Sequence, residues 1–518
     1  MNGQPLNGGD TSGGPENGVR ADGTRTRTLT REQLVESAGA LLAAGHRLAL
    51  VAGHDDGDDL RVVYLFTRAA DDEAPAGLRT ELSVVVPRAD AWVPSLAAVS
   101  FSAGRFERAL RDQFGIEPAG HPRPRRLVHH AHWPDDWYPM RHDAGDEPRF
   151  APDTSSFAFV PVEGAGVYEI PVGPVHAGMI EPGHFRFSVV GETIVRMKAR
   201  LWFVHRGMEK LFEGRTPEQG VELAEKISGD TSVGHALTYA RAVEAALDLP
   251  VPEADVLVRA LLLELERVHN HVSDIGAICN DVGFGIVHQH TQRLREQLLR
   301  TNREVTGHRL ARGAIGIGGA RLQALPDVAA LQEVGERVRE LVQVALDSSV
   351  LVDRFTGTAV LRADQAAEMG VLGYVARASG LDVDARRDHP WVDLGPSFTV
   401  PTGGTGDVLA RFTQRVEELA VSVAVVAHLV ERLDGRLGTG PLAQVPVGSG
   451  TGSAFVEAWR GTACHRVEIA DGRLRRVSVA DPSFFTWPAL PVALADTIVP
   501  DFPLANKSFN QSYAGNDL

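Results

Sequence analysis

The apolar period changes part-way along the chain, and that change restricts the fold more than any single motif. Three β-rich runs, Arg47-Leu-Ala-Leu-Val-Ala52, Leu60-Arg-Val-Val-Tyr-Leu-Phe-Thr67 and Thr80-Glu-Leu-Ser-Val-Val-Val86, come first. Turn formers such as His54-Asp-Asp-Gly57 lie between them. From residue 216 onward the apolar residues recur at helical spacing, over 255–280, 287–306, 329–350 and 406–433. In between, 167–171, 185–190 and 194–202 read as a short antiparallel sheet. The expected fold is α+β: an N-terminal α/β sandwich-like domain, then a mainly α-helical bundle with small antiparallel β-sheets.

Local signals set the boundaries. Thr30-Arg-Glu-Gln33 and Thr216-Pro-Glu-Gln219 are capping boxes that start helices, the second with proline at the first helical position. A further helix is expected through 106–114. Residues 1–28, rich in Gly, Asp, Asn and Thr without an apolar h-region, read as a disordered tail and not a signal peptide. An α+β domain over 29–142, a polar, proline-bearing linker over 143–158 and a second domain over 159–518 complete the expected order. Gly448-Ser-Gly-Thr-Gly452 lacks the Lys-Ser/Thr ending of a phosphate-binding loop and reads as a flexible turn.

Composition removes several functions. With 52 Lys+Arg against 67 Asp+Glu, the net charge of -15 argues against a nucleic-acid partner. Two cysteines, Cys279 and Cys464, cannot build a four-thiolate metal site or a disulfide framework. A reducing cytoplasm is the simplest location. The most apolar run, 419–430, is too short to span a bilayer, so a membrane link is expected only through partners.

Several motifs in order carry a family resemblance. Gly173-Pro-Val-His-Ala-Gly-Met-Ile-Glu-Pro-Gly-His184, His205-Arg-Gly-Met-Glu209, Glu264-Leu-Glu-Arg-Val-His269, Gly316-Ile-Gly-Gly-Ala-Arg321 and Arg415-Val-Glu-Glu418 are the main ones. They resemble the large subunit of membrane-bound, energy-converting [NiFe]-hydrogenases of the formate hydrogenlyase type, and the related quinone-site subunit of complex I. Asp112-Gln-Phe-Gly-Ile116, Gly120-His-Pro122 and Trp133-Pro-Asp-Asp-Trp137 resemble the small complex I subunit, here fused in front.

In the hydrogenases two Cys-x-x-Cys pairs hold nickel and iron. By the resemblance the first pair falls on Ser228 and Thr231, and the second near 501–504, where Asp501, Phe502 and Leu504 stand. A hydroxyl or a phenyl ring cannot replace a thiolate. The resemblance therefore implies no metal and no cofactor bound by this chain. A quinone is the implied substrate, in a cavity lined by His176, Ile180, His184, Ser228 and Thr231. The head-group tyrosine falls on Tyr239 and its coupled aspartate on Asp281; a phenol and a carboxylate can hold and protonate a reduced quinone. Glu209 and His235 are the proton-path candidates.

Each candidate has a plainer reading. Tyr239 can be a core tyrosine, Arg206 and Glu209 a helix-surface pair, and His235 a satisfied core histidine. Glu266-Arg-Val-His269 lacks the second copy that a di-iron bundle needs. The leading expectation is a subunit of a membrane-associated oxidoreductase complex, inactive alone, that passes electrons from NAD(P)H or another donor to quinone. Its implied partners are an iron–sulfur small subunit and membrane-arm subunits, which would hold it on the inner face of the cell membrane. The alternative is a redox-inactive structural or coupling subunit. An active [NiFe]-hydrogenase or formate hydrogenlyase large subunit is opposed by the missing thiolates.

Overall fold

The chain is described by a computed structural model over residues 18–145, 147–150, 157, 159–177 and 180–518. The first sheet has five strands: β1 (Gly18–Val19), β2 (Arg25–Leu29), β3 (Arg47–Asp55), β4 (Asp59–Arg68) and β5 (Leu78–Pro87). Their order is β1-β2-β5-β4-β3, antiparallel except for the parallel β2–β5 pair. Residues 18–28 therefore belong to the sheet and are not a disordered tail. Arg25-Thr-Arg-Thr-Leu29 alternates with period two, and Arg20 pairs with Glu81 of β5, which ties the edge down. The rest of the expected tail, 1–17, lies outside the described residues, as do 146, 151–156 and 158 of the expected linker.

The capping box at Thr30 starts α1 (Arg31–Ala43), and α2 (Phe101–Phe114) packs on β3. Three antiparallel strands follow, Val167–Val172, His184–Val190 and Thr193–Arg200. The helical part comprises α3 (Met208–Phe212), α4 (Pro217–Ala224), α5 (Ser232–Leu247), α6 (Glu253–Asn280), α7 (Gly285–Thr306) and α8 (Val328–Leu346), with a long helix at Val408–Leu433. The α+β expectation holds. None of the helices among the described residues is long and apolar enough to cross a membrane.

A further three-stranded sheet was not foreseen from the apolar period. Gly450–Ala458, Gly461–Ala470 and Arg473–Ala480 form an antiparallel meander under α5. Gly450 and Gly452, read as part of a flexible turn, open its first strand: a Cβ at Gly450 would lie 1.9 Å from the Ala246 carbonyl oxygen, and one at Gly452 2.4 Å from that of Ala242. They are small because a helix backbone lies on them.

Two features fix the domains and the bundle. The core of the first sheet runs on into the second domain, where Phe106 meets Phe484 at 4.4 Å between ring centroids and Arg466 pairs with Glu81 at 2.8 Å. Inside the bundle a buried ion network joins α6 to its neighbours. Arg377 binds Glu418 (2.7 Å) and Glu457 (2.8 Å), Arg386 binds Asp384 (2.7 Å) and Glu264 (3.2 Å), and His271 reaches Glu418 (3.0 Å).

Candidate substrate cavity

The loop between α4 and α5 is held rigidly from several sides. Trp459 donates its indole N–H to the Asp230 carbonyl (3.0 Å) and lies 3.1 Å from Thr231 Oγ1. Arg460 forks onto Asp230, Nη1 to Oδ1 at 2.6 Å and Nη2 to Oδ2 at 2.7 Å. Burial would raise the Asp230 carboxyl, but the Arg460 guanidinium outweighs it and holds the group down at about 2. Glu266 of α6 accepts from the Val233 and Gly234 N–H groups at the start of α5 (2.7 and 3.0 Å), and burial pushes its carboxyl up to about 8.

Across from this loop lies the segment that follows helix Phe502–Phe509. Ser228 Oγ and Ser512 Oγ are 2.8 Å apart, and Ser512 caps the short helix Tyr513–Asp517 by accepting from Gly515 N–H at 2.9 Å. Two segments of equal spacing thus face each other, Ser228-x-x-Thr231 and Ser512-x-x-Gly515. This corrects the expectation that the second ligand pair falls at 501–504. Asp501 pairs with Arg354, Phe502 packs on Phe185 and Phe187, and Leu504 is a core residue.

The space beside Gly515 is already filled. A Cβ there would sit 2.5 Å from the Asp481 carboxylate. Asp481 Oδ2 accepts from His235 Nε2 (2.9 Å), and His235 Nδ1 lies 3.0 Å from His465 Nε2, all three residues being fully or nearly fully buried. Against the pull of burial, the His235 hydrogen bond holds Asp481 below its ordinary value; burial pushes His465 far down. Three hydroxyls and a glycine do not fit a nickel–iron centre, which needs soft, deprotonated sulfur. Among the described residues, no cluster of three or more His, Cys, Asp or Glu could hold a metal.

In front of these segments opens a cavity of about 1060 Å³. Its polar end carries Ser228, Asp230, Arg460 and Ser512, with Asp281 and Lys507 to one side. Val172, Ile180, Phe185, Phe187 and Phe502 give it apolar surface, and Glu181, His288 and Arg295 add further polar lining. Asp281 caps the C-terminal end of α6; burial pushes its carboxyl up to about 6, while Lys507 pulls the other way.

The structure brings only some of the expected residues together. Ser228, His176, Ile180 and Asp281 line the cavity, and His176 donates Nε2–H to the Gly183 carbonyl (2.7 Å). His184 is not among the lining residues; its Nδ1 turns to the Gly173 carbonyl at 3.1 Å. Thr231 sits behind the wall on Trp459. Tyr239 is not paired with Asp281: it is fully buried, its hydroxyl donates to the Pro217 carbonyl (2.8 Å), and its ring stacks on Phe212. His235 lies one turn earlier on the same face of α5, turned toward the sheet. Glu209 pairs with Arg476 (2.5 Å) and accepts from Val479 N–H (2.9 Å) in a separate cavity of about 90 Å³. Arg206, the partner expected for it, donates instead to the Lys226 and Ile227 carbonyls. Asp230, Arg460, Asp481 and Ser512 were not foreseen; the shared i,i+3 spacing of Ser512-x-x-Gly515 and Ser228-x-x-Thr231 was the available signal.

Three family models tile the chain. Residues 28–148 match the 30 Kd subunit of respiratory-chain NADH dehydrogenase, 206–274 match nickel-dependent hydrogenase and 281–447 match the 49 Kd subunit of the same NADH dehydrogenase. Over 493 residues, 91% of this chain and 85% of the relative, it is 31% identical to formate hydrogenlyase subunit 5 of Escherichia coli (strain K12). The chain belongs to this hydrogenase and complex I large-subunit family. It carries the 30 Kd-like domain fused in front of the 49 Kd-like one. Hydrogenase-4 component G of the same organism is 34% identical over 79% of this chain and 73% of the relative. Among solved structures, a chain of the membrane-bound sulfane sulfur reductase, an archaeal respiratory membrane complex, superposes with a TM-score of 0.60 at 25% identity. It covers 69% of this chain and 100% of that one. The relatives are oxidoreductase subunits, and in this chain the two facing segments carry three hydroxyls and a glycine.

Proposed function

We propose that this chain supplies the substrate cavity of a membrane-associated, complex I-like oxidoreductase in which a quinone-type head group occupies the place of the metal. The observation behind this reading is the cavity itself: about 1060 Å³, with apolar side chains such as Ile180, Phe185, Phe187 and Phe502 beside polar ones that include Ser228, Arg460, Asp281 and the touching Ser512. An isoprenoid-bearing quinone has the same two-part character, an apolar tail and a ring with two acceptor oxygens. Reduction takes two electrons and two protons to give the hydroquinone. The electrons would come from an iron–sulfur cluster in a partner small subunit. Ser228 and Ser512 would donate hydrogen bonds to a ring oxygen, and Arg460, fixed by Asp230, would favour the negative charge that develops there. Asp281, raised to about 6, would hold and pass a proton near neutral pH. Membrane-arm partners and a place on the inner face of the membrane belong to the same proposal, since a quinone dissolves in the bilayer.

Quinone reduction in membranes, normalised to assembled complex, tests it. Asp281→Asn keeps the shape and removes the proton carrier, and should slow turnover by about 10²-fold. Ser228→Ala should raise KM for quinone with a smaller effect on turnover. Wild-type rates in both variants would instead favour a redox-inactive coupling subunit.

A further inference from the structure

A second cleft, of about 620 Å³, opens between the two domains, and nothing in the proposed reaction uses it. The chain as a whole carries 67 acidic against 52 basic side chains, yet this cleft is lined by Arg105, Arg108, Arg123, Arg125 and Arg200 with His121. Its described lining contains no aspartate or glutamate. An apolar wall of Phe101, Trp487, Pro488 and Pro491 completes it.

The arginines at its deep end are held in place mainly by neutral groups, with Asp112 acting on Arg108 and Arg200 and Asp517 on Arg105 and Arg200 as counter-charges outside the lining. Arg105 is 9% exposed; its Nη2 donates to Asn516 Oδ1 (2.9 Å), and the guanidinium lies 4.2 Å from the Phe484 ring centroid. Its Nη1 is buried with no hydrogen-bond partner. Arg200, 4% exposed, spends both Nη groups on the Leu127 and His129 carbonyls, and its buried Nε has no partner either. Arg108 likewise donates to the Arg125 and Arg126 carbonyls, at 2.7 and 2.8 Å. Carbonyl dipoles orient a guanidinium without cancelling its charge. Burial lowers Arg105 to about 9 and Arg108 and Arg200 to about 10, so all three remain cations at neutral pH.

We propose that this interdomain cleft binds a phosphate-bearing small molecule with an apolar or aromatic part, of nucleotide size. A phosphate offers three acceptor oxygens and up to two charges to converging guanidinium forks, where a single carboxylate offers two oxygens and one charge. The volume falls in the range of small-molecule sites, roughly 300–1,000 Å³. The Phe101–Trp487–Pro491 wall receives a flat base or an acyl group. A free nucleotide and the headgroup of an anionic phospholipid present the same chemistry.

Titration calorimetry of the purified full chain separates the sources, with ADP and pyrophosphate as soluble probes and vesicles of phosphatidylglycerol or phosphatidylcholine as lipid probes. Saturable ADP binding supports the proposal with a free ligand; binding to phosphatidylglycerol but not to phosphatidylcholine or ADP supports it with a lipid headgroup. Arg105→Gln should weaken the binding about 10-fold or more. Arg123→Gln, at the surface of the cleft, should weaken it while leaving the melting curve unchanged, which keeps the test open if Arg105→Gln misfolds. Arg432→Gln, on the far helix, should change nothing. No binding of any phosphate probe at about 1 mM, equal binding by wild type and Arg123→Gln, or tighter binding of polyglutamate than of every phosphate probe would each overturn the proposal, the last by assigning the cleft to an acidic protein segment.

Discussion

Gly515→Ala is the sharpest probe of the packing behind the paired segments Ser228-x-x-Thr231 and Ser512-x-x-Gly515. The added Cβ would stand 2.5 Å from Asp481 Cγ and Oδ2, and the carboxylate cannot retreat freely because His235 Nε2 and the Ser483 N–H both hold it. Forcing a methyl group into a close-packed interior costs about 1–3 kcal/mol. If Asp481 moves instead, a buried hydrogen bond to a charged group is lost, worth about 1.5–3 kcal/mol. The two outcomes share one displacement, so they do not simply add; a total of about 2–4 kcal/mol is expected, against a net stability of about 5–15 kcal/mol for a folded domain. Thermal and urea unfolding of the purified chain should show it as a clear loss in both Tm and midpoint. A double-mutant cycle supplies the control: in an Asp481→Ala background the space is open, and Gly515→Ala should cost under about 1 kcal/mol. Equal costs in the two backgrounds, or a wild-type melt for Gly515→Ala alone, would refute the steric argument. By the same geometry, cysteines at 228, 231, 512 and 515 would not recreate a metal cage while Asp481 keeps its place.

Two further outcomes follow from buried charge. Arg377→Met removes the cation shared by Glu418 and Glu457 and leaves two carboxylates buried with reduced compensation; a loss of about 3–5 kcal/mol is expected, read as a fall in the urea midpoint, and an unchanged midpoint would show the network to be dispensable. Asp281 titrates at about 6 in the folded chain, above its ordinary 3.8, so the folded state binds this proton more tightly than the unfolded one. Its contribution to stability is complete below about pH 4 and is lost as pH rises through 6; Asp281→Asn should flatten that part of the Tm–pH profile, and an unaltered slope would contradict the assignment.

Much of the fold was legible because its signals are local. The capping boxes at Thr30 and Thr216 and the helical spacing of 255–280 each depend on residues within one or two turns, and the corresponding helices form where expected. The sheet at 450–480 was hidden because its opening glycines answer to a helix some 200 residues away in sequence, through the Ala242 and Ala246 carbonyls. The site was half legible. Ser228 was found by its place in a motif, whereas the segment opposite it, Ser512 to Gly515, was sought eleven residues too early, at 501–504, since a serine and a glycine three apart carry no chemical signature until something faces them. Tyr239 illustrates the reverse: it lies four residues after His235, hence on the same helix face, and that face looks at His465 and not at the cavity.

The core shared between the two domains also sets a timetable for biosynthesis. Phe106, on α2, is covered by Phe484, and Glu81 waits for Arg466. The ribosome must therefore add about 340 residues after residue 142 before Phe484 can close that face. At about 5–20 residues per second this takes roughly 17–70 s, during which the sheet is made but its apolar face is not yet covered. Fusion in one chain guarantees that the covering surface arrives, but long after the first sheet has been made, so the nascent first domain is the stage most exposed to misassociation.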